Sequence, residues 1–176
     1  GSSCSPEREK EAMAAMEAEV RGIEQINDLD ELAEELGESV DELVAWRPIE
    51  VGNLLEDYAE IYGMEQEICE SIIAEHKTKA IEALRKDPSL AKLAVVLDEE
   101  FYILVSLRPW EWVKGKISDL GGVLQSDEIS TIGVEFVKLQ AKAQRAHLEK
   151  KKAEFAEMKV RDLRAELGKQ GLSTKG

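Results

Sequence analysis

Hydrophobic side chains recur every three or four residues along most of this chain, which is the spacing of one buried face of an α-helix. The pattern predicts a first helix near residues 5–22, a short pair within 29–46, and longer helices near 48–62, 68–86, 109–120 and from 126 into the 150s. We therefore predict an all-α fold, an irregular helical bundle with a long C-terminal basic helical arm.

Capping residues give the predicted boundaries of the first helices. Ser5–Pro6 suits the start of the first helix. Either Asp28 or Asp30 is expected to cap the next helix, which Gly37 ends in the left-handed conformation. The segment Ser39–Glu42 has the spacing of a capping box, so another short helix begins there and stops before the following proline.

The middle of the chain contains one ambiguous segment. Asp87–Pro88 has the order of a cap followed by a helical first turn, and Leu93–Leu107 is mostly helical by period. Within it, Phe101–Val105 alone also suits a strand. Helix is the preferred interpretation, because no second run of β-branched residues offers a pairing partner. Ser126 is expected to cap the last long helix.

Charge is distributed unevenly along the chain. The net charge is −14, but the residues from Lys138 onward carry 11 basic side chains against 5 acidic ones. That end is therefore +6 and the remainder −20. The balance excludes nucleic-acid binding by the whole surface, because such binding requires net positive charge to displace counterions from phosphates. It suggests two surfaces with different partners.

The last helix changes character beyond residue 139. Between Gln140 and Lys152 the only large apolar residue is Leu148, so this stretch cannot bury much surface. We expect it to project as a solvated helix or to lie on another molecule. Its electrostatic contacts are assigned to five cations: Lys142, Arg145, Lys150, Lys151 and Lys152.

Residues 29–46 resemble a helix-turn-helix, with a turn near Gly37. In that architecture the second helix enters the major groove, where cationic and amide side chains read bases. Here its exposed positions include Asp41 and Glu42, which would repel phosphate. A short αα-hairpin packed in the body is the preferred interpretation, ahead of a hairpin used for protein contact.

The end of the chain carries a second short pattern. Its apolar positions are Val160, Leu163 and Leu167, followed by Gly171 and Leu172 before Ser173. This order resembles the first helix and turn of the SAP motif, a small helix–extended–helix module. The motif's second helix is absent before the sequence stops at Gly176, so residues 158–176 correspond to a truncated motif, and we expect either a longer gene product or a cut end.

The resemblance implies a possible nucleic-acid interface confined to this end, because SAP modules commonly bind DNA and some bind RNA or protein. Carried over to this sequence, the phosphate contacts would come from five cations: Lys159, Arg161, Arg164, Lys169 and Lys175. The chain is then organised as an N-terminal helical segment, an acidic helical body, a basic helical arm and the truncated SAP-like motif, over residues 1–26, 27–137, 138–157 and 158–176.

Two clusters combine tryptophan with arginine and proline. Trp46 stands before Arg47–Pro48, and Arg108 precedes Pro109 with Trp110 and Trp112. Trp and Arg are favoured anchors at protein interfaces, so Trp46, Arg108, Trp110 and Trp112 are candidate contact residues. The alternative is that each tryptophan packs beneath the helix that follows it.

Residues for catalysis are sparse. His76 and His147 are isolated, and Glu75–His76 lacks the second histidine of an H-E-x-x-H zinc site. We predict no catalytic, cofactor-binding or metal-binding residue. Two widely separated cysteines, Cys4 and Cys69, favour free thiols in a reducing intracellular compartment. An organelle would fit if the first residues were the end left after a targeting peptide was removed.

The sequence also lacks an apolar stretch of the roughly 18–20 residues that a membrane span needs. Together these features predict a non-enzymatic scaffold or adaptor subunit of a larger assembly, whose acidic body docks on protein and whose basic arm contacts a second partner. The alternatives are a nucleic-acid-associated protein that uses the SAP-like end, and an enzyme whose site is assembled only by folding.

Overall fold

The computed structural model describes residues 8–13 and 26–169. Residues 8–13 are helical, and every other regular element in the described ranges is also a helix. The helices are α1 (Leu29–Leu36), α2 (Val40–Val44), α3 (Pro48–Tyr62), α4 (Gln66–Lys86), α5 (Leu90–Val96), α6 (Phe101–Leu107), α7 (Trp110–Asp119) and α8 (Ser126–Lys169). The predicted all-α fold class is confirmed.

The chain divides into two compact units, Gly1–Glu100 and Phe101–Gly176. The domain boundaries expected from the sequence, at residues 26, 137 and 157, stay predictions. None of the helices in the described ranges combines the length and the apolar character that crossing a membrane requires. The predicted first-helix start at Ser5–Pro6 lies outside the described residues.

Helix α4 is the centre of the first unit, because it packs against α1, α2, α3 and α5. The side chains buried together between α1, α2, α3 and α4 are Ile26, Leu29, Leu32, Ala33, Leu43, Val51, Leu55 and Ile72. Along the remainder of α4 and α5, Leu84, Leu90 and Leu93 are also fully buried. In α3 the buried apolar residues are Val51 and Leu55, whereas Ile49 and Ile61, which belong to the apolar pattern that predicted this helix, are exposed at 51% and 67%.

The first two helices form the predicted αα-hairpin. Asp28 is the cap of α1, and its Oδ1 accepts from the backbone N–H of Glu31 at 2.8 Å. Gly37 ends α1 with φ 70°, and the capping box of Ser39 and Glu42 is complete. Because α1 has 8 residues and α2 has 5, neither helix is long enough to be stable alone.

Two helix N-termini are closed by side chains from distant parts of the first unit. The backbone N–H of Leu29 donates to Glu75 Oε2 at 3.2 Å, which ties the start of α1 to α4. Helix α3 has no side-chain cap from its own N-cap residue, Arg47. Instead the N–H of Ile49 donates to Asp98 Oδ1 at 3.2 Å. These two carboxylates hold α1 and α3 in place relative to α4 and to the end of α5.

The prediction that Leu93–Leu107 is mostly helical is confirmed, with a break between α5 and α6 that sequence analysis did not predict. The backbone N–H groups of Asp98 and Glu99 donate to Val95 and Ala94, the pair of bonds that makes a Schellman ending. Asp98 has φ 56°, a conformation that Asp tolerates better than most residues other than glycine. The alternative strand at residues 101–105 is wrong, since these residues lie in α6.

Two predicted caps are shifted along the chain. Asp87 ends α4 through its backbone, and Ser89 is the cap of α5, with its Oγ accepting from the Lys92 N–H. Ser126 is the first residue of α8, and the carbonyl of Gln125 accepts the first helical hydrogen bond from Ile129. Helix α8 continues through the 150s to Lys169.

In the second unit α6 and α7 pack against the first part of α8. The buried side chains of this unit are Leu104, Val105, Val113, Ile117, Val123, Leu124, Ile132 and Phe136. Gly133 of α8 allows the indole of Trp110 to lie directly against the helix backbone. The Trp110 and Phe136 rings are 5.5 Å apart. Gln140 Nε2 donates to the Arg108 carbonyl at 2.8 Å and fixes the connection between α6 and α7.

Replacing Asp98 separates the effect of its carboxylate from that of its backbone conformation. Asp98→Ala removes the cap of α3 and strains a left-handed position, so we expect a loss of about 2 kcal/mol in the free energy of unfolding. Asp98→Gly removes only the cap and should cost about 1 kcal/mol, while Asp98→Asn should cost less than about 0.5 kcal/mol. Urea unfolding followed by circular dichroism measures the series. If Asp98→Ala and Asp98→Gly lost the same free energy of unfolding, the left-handed conformation at this position would not be strained for alanine.

Two helical glycines of the second unit, Gly115 and Gly133, should respond in opposite directions to alanine. A Cβ at Gly133 would lie 2.7 Å from Trp110 Cζ2, so Gly133→Ala should destabilise the unit by about 1–3 kcal/mol. A Cβ at Gly115 of α7 meets nothing within 4 Å, so Gly115→Ala should stabilise it by up to about 1 kcal/mol. Urea unfolding followed by tryptophan fluorescence measures the change in the free energy of unfolding for both variants. If Gly133→Ala left the free energy of unfolding unchanged, the indole of Trp110 would be able to move aside without energetic cost.

Candidate functional site

The second half of α8 is the most exposed part of the described chain. Every residue from Gln144 to Lys169 is exposed, over a helix length of about 39 Å. Residues 144–152, part of the stretch expected to be a solvated helix or to lie on another molecule, are helical and exposed in this single chain, and the choice between the two stays a prediction. Large apolar side chains are exposed here as well, among them Phe155 at 62% and Leu163 at 64%. Such a helix has little to stabilise it in water unless it contacts another molecule.

The positive charge lies in the part of α8 nearest the packed core. Residues 138–152 contain six Lys or Arg against one acid, whereas residues 153–169 contain four of each. Lys152 Nζ lies 3.8 Å from Glu149 Oε1, an exposed pair that contributes little stability. Within the described part of the chain, no ion pair is formed by the other four arm cations, which are Lys142, Arg145, Lys150 and Lys151. All five predicted arm cations are thus exposed on one helix.

The SAP-like residues that the structure describes lie at the end of the same helix. Val160, Arg161, Leu163, Arg164, Leu167 and Lys169 are all exposed in α8. Arg161 Nη2 pairs with Glu157 Oε1 at 3.0 Å. Gly171 and Leu172, which would form the turn of the motif, lie outside the described residues. The described part therefore contains a continuous helix, and the turn stays a prediction.

The predicted tryptophan and arginine anchors are distributed over both units. Trp46 is half-buried and packs against the core of the first unit. In the second unit the Arg108 guanidinium lies 4.3 Å from the centre of the Trp112 ring, and Lys116 Nζ lies 5.4 Å from it. Trp110 packs on α8. Each tryptophan thus has intramolecular contacts, and their use at an interface stays a prediction.

An apolar strip runs along α8 that sequence analysis did not identify. Its members are Val134, Val137, Ala141, Leu148, Phe155 and Met158, here called the seam. Five of them are large, and their exposed fractions range from 51% to 62%. The signal in the sequence is a seven-residue spacing of Val134, Ala141, Leu148 and Phe155, with Val137 and Met158 each three residues after a member of that series. It is hidden because glutamine and lysine occupy the positions between Val137 and Met158 in the second series.

Two cavities accompany these elements, one in each unit. In the second unit a cavity of about 520 Å³ is bordered by Trp110, Ile129, Gly133, Val134 and Val137, so it opens onto the start of the seam. In the first unit a groove of about 680 Å³ lies between α2, α4 and α5. Its floor consists of small side chains and its rim carries charges of both signs, which gives no preference for one ligand class.

The pair Glu75–His76, considered for metal binding in the sequence, has another role in the structure. His76 is fully buried, and its Nε2 lies 2.9 Å from the Leu43 carbonyl oxygen. Because a carbonyl only accepts, Nε2 carries the proton and donates to the end of α2. Glu75 caps α1 from the neighbouring position. Both side chains therefore stabilise the ends of short helices.

Reactive chemistry has few participants in the described residues. Burial raises the pKa of the Cys69 thiol, which is the opposite of the change that activates a cysteine nucleophile. Within residues 8–13 and 26–169, no group of three or more His, Cys, Asp or Glu side chains is arranged to hold a metal ion. Cys4 lies outside the described residues.

Comparison of the chain with protein-family models, with curated proteins and with solved structures finds no match. The resemblance of residues 158–176 to the SAP motif therefore depends on those residues alone. Function is inferred below from the charge and exposure of the chain's own surfaces.

The buried imidazole makes the first unit sensitive to acid. Desolvation lowers the pKa of His76 below 6.5, while the carbonyls of Leu43 and Trp46 and the Asp98 carboxylate oppose the shift and Lys77 adds to it. The unfolded chain then binds the proton more readily, so stability falls as pH decreases below about 6.5, by up to about 1.4 kcal/mol per pH unit.

Urea unfolding between about pH 8 and pH 5 tests this dependence. His76→Gln should remove the part of the slope that His76 causes, since glutamine cannot titrate. His147→Gln, at an exposed position of α8, is the matched control and should keep the parent slope. Identical slopes in the parent and His76→Gln proteins would contradict the assignment.

Proposed function

We propose that this protein is a non-enzymatic helical scaffold or adaptor subunit, in which the acidic helical body, residues 27–137, docks on protein and the basic arm, residues 138–157 of α8, contacts a second partner. The observation that carries the proposal is the run from Gln144 to Lys169, where every residue is exposed although several side chains are large and apolar. Leaving that much apolar surface in water is unfavourable, so a partner that covers it would stabilise the helix.

Charge supports two partners. The residues before Lys138 carry a net charge of −20, whereas residues 138–152 hold six cations against one acid. One surface of uniform sign cannot complement both regions, because like charges that face each other across an interface are unfavourable. An adaptor that joins two different molecules uses both signs.

Nucleic-acid binding through the SAP-like end gains little from the charge of the described residues. Residues 158–169, the described part of that end, contain four basic side chains against two acidic ones, a smaller excess than the six against one of residues 138–152. The protein-binding interpretation is preferred for that reason.

In native extract the chain should elute as part of a complex clearly larger than its own 19.6 kDa. Salt should release it, because exposed cations of α8 are screened at high ionic strength. The variant Lys142→Glu with Lys150→Glu should weaken the complex by at least about tenfold in dissociation constant. The double variant Lys77→Glu with Arg85→Glu, at exposed positions of α4 in the acidic body, makes the same charge change away from α8 and should change the dissociation constant of the α8 partner by less than about twofold.

Elution of the protein as a free monomer from native extract would overturn the proposal. So would equal weakening by the two double variants, because the effect would then reflect total charge and not the arm. Release by nuclease treatment would show that nucleic acid holds the complex together, which contradicts protein scaffolding.

A further inference from the structure

The seam has the periodicity of one face of a coiled coil. Val134, Ala141, Leu148 and Phe155 follow one another at intervals of seven residues, and Val137 and Met158 occupy the second position of the same repeat. From Val134 to Met158 the repeat extends over about three and a half heptads, which is the length at which such a pattern indicates helix pairing. The intervening positions of the second series are Gln144 and Lys151, so the strip is not uniformly apolar.

One flank of the seam is uniformly basic. Lys138, Arg145, Lys152 and Lys159 also recur every seven residues, one position beyond the second seam series. All four are exposed. In a paired coil this flank lies beside the flank of the partner helix, where opposite charges favour a partner and like charges exclude it.

These charges disfavour a second copy of the chain as the partner. In an antiparallel pair the basic flank would face itself. In a parallel pair Lys151 would face its own copy inside the seam, and Lys152 would lie opposite His147. In the parallel pair Glu154 would lie opposite Lys159 and form a favourable contact at that flank. One such contact does not offset the unfavourable positions of Lys151 and Lys152.

The cavity beside Trp110 supplies a place for an anchoring side chain. It has a volume of about 520 Å³ and includes Val134 and Val137 of the seam together with Trp110 and Ile129. A partner helix lying along the seam would pass over its mouth. This site is a shallow, open depression, in which a large apolar side chain would cover Trp110, Val134 and Val137.

We infer that the seam is the docking site for an amphipathic helix of another protein, which pairs with α8 as a two-stranded coiled coil and carries carboxylates beside its own apolar stripe. The inference rests on the proposed adaptor function and specifies the partner of α8. It requires both features at once, since the apolar seam stabilises pairing and the basic flank selects an acidic helix.

Three synthetic helical peptides of four heptads, titrated against the full chain at physiological ionic strength, test the inference. The first has leucine at both seam positions and glutamate at both flanks, the second has lysine at the flanks, and the third keeps glutamate but has alanine in the seam. Tighter binding of the first peptide by at least about tenfold over each of the others is expected.

Variants of the chain locate the site. Leu148→Asp with Phe155→Asp should weaken binding of the first peptide by at least about tenfold, because both side chains lie in the seam. Ala146→Asp with Ala153→Asp adds the same charge on the opposite face of the same exposed helix and is the matched control. Binding by the control should change by less than about threefold, the small loss reflecting its added negative charge.

Several results would overturn the inference. Equal binding of the first and third peptides would show attraction to any polyanion, as would tighter binding to duplex DNA than to the first peptide. Concentration-dependent dimerisation of the chain in sedimentation, lost in the Leu148→Asp and Phe155→Asp variant, would assign the seam to a second copy. If the peptides fail while the native complex persists and remains sensitive to Lys142→Glu with Lys150→Glu, the partner assignment falls and the adaptor function stands.

Discussion

The hydrogen-bonded ends of short helices against α4 are the constraint on which the first unit depends. Helices α1 and α2 are too short to persist by themselves, and each leaves backbone groups unsatisfied at its ends. Glu75 accepts from the start of α1, and His76 donates to the Leu43 carbonyl at the end of α2. Two adjacent residues of α4 therefore fix the hairpin, and the apolar core can close around it. Asp98 performs the same role for α3 from the end of α5.

The second unit uses α8 in two different ways. Its first turns provide Ile132, Gly133 and Phe136, which pack against α6 and α7. The contact is close because Gly133 has no side chain to separate Trp110 from the helix. Beyond residue 143 the same helix has no intramolecular covering in the described chain. One continuous helix thus joins a packed end to an exposed end.

Much of the fold follows from local chemistry and was predictable. Asp28, Gly37 and the capping box of Ser39 and Glu42 act through bonds between near neighbours, so their sequence spacing is sufficient to identify them. The break at Asp98 was not predicted, because a left-handed non-glycine ending has a weak sequence signal and is supported here by its contact with Ile49. His76 gave no signal at all, since its partner carbonyl lies 33 positions away.

The basic arm was predictable because charge and low apolar content are properties of composition, and no contact is needed to see them. The exposure of seam residues such as Val134 and Phe155 was harder to predict, because an apolar side chain in a sequence is first assigned to the core. Only the folded structure shows which apolar side chains remain uncovered. The sequence by itself determined the helical class, most helix ends and the opposition of an acidic body to a basic end. The tertiary structure decided which apolar residues are buried, that Glu75 and His76 close distant helices, and that α8 is exposed on all sides from Gln144 to Lys169. The physical reason is that periodicity and capping act within a few residues, whereas burial depends on surfaces that meet only when the chain is folded.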